Sequence, residues 1–273
     1  IMNQPTGQFY RVITDNLFPY NVYGSQQDDN AITIKNETLS GGIGERHWFS
    51  LGSGESSTIA FDPENPRFVY STYFASMIGE WDRDTGNYRD IRPYPERVTG
   101  EQPKNLKLRA NWNSPVIVSP HDPSVIYYGS QYLMKSTDRG ASWDIISEDL
   151  TRNDKEHQGL GGIPISNEQI TAESYNNLFV IAESPLEQGV IWTGSDDGLI
   201  HITRDNGETY ENVTPRGMSE AIVNVIDASP HQAGKAYFAV AGYKLNDFTP
   251  VIYKTEDYGQ SFTKIVNGLP EDT

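Results

Sequence analysis

Short apolar runs recur along the whole chain, each broken by a polar, proline-containing turn. The clearest are "IAFDPENPRFVYS" (59–71), "VIVSPHDPSVIYYGS" (116–130), "VIAESPLEQGVIWTGS" (180–195) and "VIDASPHQAGKAYFAV" (225–240). Runs of this length, rich in Val, Ile and Tyr and bounded by turn residues, predict a strand, a tight turn and a second strand. No segment sustains the 3.6-residue period of an amphipathic helix. The most helix-like stretch, residues 164–177, is short and predicts a loop between units with a single helical turn.

A second pattern follows each pair of strands. "STDRGASW" (136–143), "TRDNGETY" (203–210) and "TEDYGQSF" (255–262) fit one template, Ser/Thr-x-Asp-x-Gly-x-x-aromatic, and "DRDTGNY" (82–88) is a shortened copy. The template reads as a turn between a third and a fourth strand. Its Asp can accept backbone N–H groups two or three residues on, its Gly permits positive φ, and its aromatic ring buries against the hairpin. The structural residues expected of it are Asp84, Asp138, Gly140, Trp143, Asp205, Gly207, Tyr210, Asp257, Gly259 and Phe262. "WDRDTG" has the Asp-x-Asp start of a calcium loop but no Glu at the twelfth position, so no metal site is expected there. Four-stranded units repeating every 45 to 65 residues or so predict an all-β fold, a β-propeller of four-stranded blades. About five blades are visible, at approximately 8–50, 51–108, 109–170, 171–216 and 217–273, and the first lacks the box.

The box and its surroundings carry a family resemblance. The template resembles the Asp box of BNR-repeat propellers, found in sialidases, sortilin-type receptor domains and two-propeller xyloglucanases. The wider run, including "FPYNVYGSQQD", "NWNSPVIVSPHDP" and "IYKTEDYGQSF", is similar to large secreted bacterial proteins described as sortilin-like or as BNR-repeat glycosyl-hydrolase-like. The resemblance implies a closed ring of six or more blades. It therefore implies that this chain is part of a larger propeller, completed by the remainder of a longer chain or by a partner subunit. It also implies a location outside the cytoplasm: secreted, periplasmic or on the cell surface.

Composition removes several functions. A net charge of −16 disfavours nucleic acid, whose binding depends on clustered Lys and Arg. No apolar run reaches the roughly 18 residues of a membrane span, and with no Cys there is neither disulfide nor thiol chemistry. The five histidines are dispersed without zinc-pair spacing, and neither a nucleophile elbow nor a phosphate loop is present, so no cofactor is expected.

The remaining candidates lie in loops. Loops leading into the innermost strands share a face with the turns between second and third strands, opposite the box turns. That face gathers Asp28, Asp29, Glu55, Glu173, Asp196 and Asp197 with Arg109, Trp112, Tyr175 and Tyr243. Carboxylates beside aromatic platforms suit a sugar. Asp29, Glu55 and Asp196 are the candidate catalytic acids, since glycoside hydrolysis needs two carboxyl groups roughly 5 to 9.5 Å apart. The other seven are candidate ligand-binding residues. A sialidase reading is disfavoured, because only Arg109 stands clearly in such a loop. Two functions remain: a binding module for a glycan, peptide or partner protein, and a polysaccharide hydrolase.

Overall fold

The computed structural model describes residues 6–39, 41–51, 54–73, 76–159 and 174–270. Its strands form five antiparallel sheets of four, each built from consecutive segments. The first sheet holds β1 (Phe9–Thr14), β2 (Asn21–Gln26), β3 (Ala31–Lys35) and β4 (Trp48–Ser50), and the second β5 (Ile59–Ala60), β6 (Phe68–Tyr73), β7 (Met77–Asp82) and β8 (Asn87–Asp90). The third holds β9 (Val116–Val118), β10 (Ile126–Gly129), β11 (Leu133–Ser136) and β12 (Asp144–Ile145). The fourth holds β13 (Leu178–Glu183), β14 (Ile191–Ser195), β15 (Ile200–Thr203) and β16 (Glu211–Asn212). The fifth holds β17 (Ile222–Ala228), β18 (Ala236–Gly242), β19 (Asp247–Thr255) and β20 (Thr263–Ile265). The leading strands β5, β9, β13 and β17 touch in succession, as the innermost strands of propeller blades do. The fold is an all-β propeller. Most of the expected 164–177 helical turn lies outside the described residues.

Side chains alternate across a strand, so a sheet covered on both faces needs apolar residues at successive positions. Tyr127 and Tyr128 show the consequence. Tyr128 packs toward the second blade with Tyr70, Ile78 and Ile91, while Tyr127 packs toward the fourth with Leu178 and Ile191. Four apolar clusters result, one at each junction between successive blades. Among the described residues no such cluster joins the fifth blade to the first, and no strand pairs between them. A bond from Arg11 Nη2 to the Asn224 carbonyl, at 3.3 Å, crosses that gap.

The box turns show how the repeat locks. Asp138 Oδ1 accepts from the backbone N–H of Ser142 at 2.9 Å and from Ser136 Oγ at 2.8 Å, while Ser142 Oγ donates to Oδ2 at 2.6 Å. Asp205 and Asp257 repeat this with Thr209 and Ser261. The main backbone bond thus lands four residues on, one residue further than the sequence predicts. These bonds hold Asp138 and Asp205 down at about 2. The glycines sit at φ 76°, 96° and 86°, where a side chain would be strained, and they also press on the preceding blade. A Cβ on Gly140, Gly207 or Gly259 would come within 2.6, 3.0 and 2.7 Å of Ile91, Ile146 and Val213.

The shortened copy works differently. Asp84, predicted as its box residue, is a surface acid 3.2 Å from Arg67, and Asp82 accepts the turn's backbone bond from Asp84 N at 3.0 Å. With fewer residues between Asp and aromatic, the turn has no counterpart of Ser142 to reach back to Asp84.

Candidate functional site

An open cleft of about 500 Å³ lies between the first two blades, on the face away from the boxes. The β2–β3 turn supplies Asp28 and Asp29, and the loop before β5 supplies Glu55. Asp28 occupies the left-handed region at φ 61°, which a short polar side chain tolerates. Glu55 ties the two walls together, because its Oε2 accepts from Asp28 N at 2.7 Å and from Gln27 Nε2 at 2.6 Å.

Two tyrosines complete the walls, and both rest on glycine. A Cβ on Gly54 would fall 1.7 Å from the Tyr73 ring, and one on Gly79 would fall 2.2 Å from the Tyr88 ring. Only a residue without a side chain lets the rings lie so close to backbone. Tyr88 remains 49% exposed. Burial, followed by the charge of Glu55, raises the Tyr73 phenol above its ordinary range. Ser71, also in the lining, is 2% exposed, and among the described residues its buried hydroxyl has no hydrogen-bond partner.

A hydrogen-bonded belt runs from this cleft across the face. Trp112 Nε1 donates to Tyr10 Oη at 3.2 Å, and Tyr10 in turn donates to Gln27 Oε1 through a short bond. Ser56 Oγ donates to the Trp112 carbonyl at 2.7 Å. Asn111 Nδ2 then reaches Asp196 Oδ2 at 3.0 Å and the Ser174 carbonyl at 3.3 Å. Through Tyr10 and Gln27, Trp112 of the third blade is thus linked to Glu55 in the cleft between the first and second.

The predicted residues divide into groups. Asp28, Asp29 and Glu55 come together in the cleft, whereas Asp196 is 3% exposed and does not line it. Backbone N–H of Asn177 at 2.8 Å and the Asn111 amide hold Asp196. Its carboxyl is pushed up to about 7, first by burial and then by the charge of Asp197. Asp197 is itself buried, accepting from Arg152 N at 2.8 Å and Asn176 Nδ2 at 2.6 Å.

Arg109 and Tyr175, expected to face a ligand, are inside the wall, at 3% and 1% exposure. The reason for Arg109 is a partner the sequence did not suggest: Asp149, 2.7 Å from its Nη2. Tyr243 stays 53% exposed and lines a separate cavity of about 460 Å³ with Tyr10, Arg11 and Phe179. Glu173 lies outside the described residues. Sequence reasoning missed Tyr73 and Ser71, and it read Tyr88 as the ring of the shortened box, buried against its hairpin, whereas Tyr88 stands half exposed in the cleft wall. "YSTYFASM" (70–77) parallels "YYGSQYLM" (127–134), and that parallel marks the second blade's own β6–β7 turn, at whose edge Tyr73 stands.

The fold is similar to several solved structures. The GH74 enzyme of Niastella koreensis matches with a TM-score of 0.59 and 15% identity, over 97% of this chain and 38% of that one. The GH74 xyloglucanase of Xanthomonas campestris gives 0.61 and 14%, over 97% and 38%. A chain described as the extracellular domain of a hybrid two-component system from B. thetaiotaomicron gives 0.55 and 16%, over 98% and 30%. This chain thus spans between 30% and 38% of the length of those structures. No family model matches the sequence, and no curated protein matches it. At such identities the likeness is one of fold, and it places the chain among the β-propellers.

Proposed function

We propose that the protein is an extracytoplasmic propeller module that binds carbohydrate in the cleft between its first two blades. The observation that carries this reading is the combination in one open cavity of three carboxylates with two tyrosine rings seated on glycine. Carboxylates accept hydrogen bonds from sugar hydroxyls, and flat rings stack on the apolar face of a sugar. The neighbours described as a xyloglucanase and as an extracellular domain are in keeping with a glycan met outside the cytoplasm.

Hydrolysis is the second reading, and Asp196 favours it. A carboxyl that keeps its proton near neutral pH is what a general acid requires. Its burial argues against that role, because it is sealed among Asn111, Asn177 and Asp197 instead of facing the cleft that holds Glu55.

A glycan array and a polysaccharide-hydrolysis screen on the wild type, Glu55→Gln and Asp196→Asn separate the readings. Binding reduced at least tenfold in Glu55→Gln, with no turnover by the wild type, is the expected result. Turnover abolished in Asp196→Asn with the fold intact would overturn it.

A further inference from the structure

We infer that the cleft selects an amine-bearing sugar, one carrying a protonated ammonium group. This rests on the carbohydrate reading above and narrows it. Among the described residues the lining includes three carboxylates, Asp28, Asp29 and Glu55, and no Lys, Arg or His. The three carboxylates make the cavity electronegative, and the groups that bond Glu55, the Gln27 amide and the Asp28 backbone N–H, are neutral. A cation is drawn into such a field, whereas a neutral ligand gains nothing from it.

Two further features point the same way. The Tyr73 and Tyr88 rings flank the acids, and aromatic faces beside carboxylates favour an ammonium through the ring quadrupole. Ser71 supplies the independent indication of a ligand. Its hydroxyl, buried in the cleft lining without a partner among the described residues, costs free energy until something bonds it.

The ligand's scaffold follows from size. A cavity of about 500 Å³ exceeds what one lysine head group fills, and its two rings and its hydroxyl offer stacking and hydrogen bonding along a surface. A pyranose ring bearing an amine meets all three kinds of contact.

The test compares a glucosamine tetramer with its fully N-acetylated counterpart, which has the same backbone without the charge, and with a tetralysine peptide. Calorimetric titration is done at low and high salt on the wild type, Asp29→Asn and Glu55→Gln, with thermal melts to verify folding. The expected result is at least tenfold tighter binding of glucosamine tetramer than of either comparison. That preference falls with salt and collapses in both variants.

Equal binding of the charged and acetylated tetramers overturns the ammonium inference and leaves the carbohydrate reading standing. Tetralysine binding as tightly as the glucosamine tetramer, with loss in Glu55→Gln, overturns the sugar assignment. Binding of none of the three overturns the inference, and the glycan array then decides the carbohydrate reading separately. If Glu55→Gln melts early, Asp29→Asn alone carries the decision, because the bond its side chain accepts among the described residues is the local one from Asn30 N–H, at 2.8 Å.

Discussion

Asp196 is an acid whose burial has a measurable consequence. Its folded-state value, about 7, lies above the ordinary carboxylate value of 3.8, so the native state holds this proton more tightly than the unfolded chain does. Its contribution to stability is full below about pH 4 and is lost as pH rises toward 7. Asp196→Asn keeps the shape and removes the titration. Denaturant unfolding at pH 5 and pH 8 is expected to show a stability difference in the wild type that shrinks in the variant. Asp138, Asp205 and Asp257 act in the opposite sense: their depressed values add stability that is lost as pH falls below about 4. None of this was legible in "GSDDG", which reads as a solvated turn. The residues that bury Asp196, Asn111 and Asn177, come from distant segments, and only tertiary structure brings them over it.

At the level of the element, the box turn was legible because its bonds are local. Ser136, Asp138 and Gly140 meet within one short stretch, so the residue spacing alone announces the turn. The Ser or Thr before the aromatic was visible too, at Ser142, Thr209 and Ser261, but its role needed the structure to show it closing on the Asp. The glycines allow strain and packing to be separated by experiment. Gly86 has φ 72° and open space where a Cβ would go, whereas Gly140 has φ 76° and Ile91 only 2.6 Å away. Gly86→Ala is expected to cost about 1 kcal/mol, from backbone strain. Gly140→Ala is expected to cost roughly 2 to 4 kcal/mol, since overpacking is added. Urea midpoints measure both, and equal costs would show that the contact with Ile91 contributes nothing.

For the whole molecule, the junctions between blades matter more than any blade alone. Glu80 in the second blade is 4% exposed and accepts from Arg139 of the third at 2.8 and 2.7 Å, with Arg89 3.2 Å away. Burial pushes its carboxyl up, but the two arginines outweigh burial and hold it below the usual range. The Arg139 guanidinium also lies 3.5 Å from the centre of the Phe68 ring. Arg139→Ala leaves a buried charge half-compensated, and a loss of about 2 to 3 kcal/mol is expected. Unfolding followed at pH 7 and pH 4 should show that loss shrinking as Glu80 takes up a proton. No spacing rule in the sequence pairs residues 80 and 139, and the same holds for Arg109 with Asp149. Repeats reveal the blades, while the contacts that join them are long-range.

The box glycines give these junctions an order. Each one presses on the residue just past the outermost strand of the blade before it, so a turn in one repeat is shaped against the finished edge of its predecessor. Stability in such an array is set by nearest-neighbour coupling. A lesion at Ile91, Ile146 or Val213 is therefore felt one blade downstream, in a segment whose own sequence is unchanged. Assembly in the direction of synthesis gives every box a completed surface to close upon.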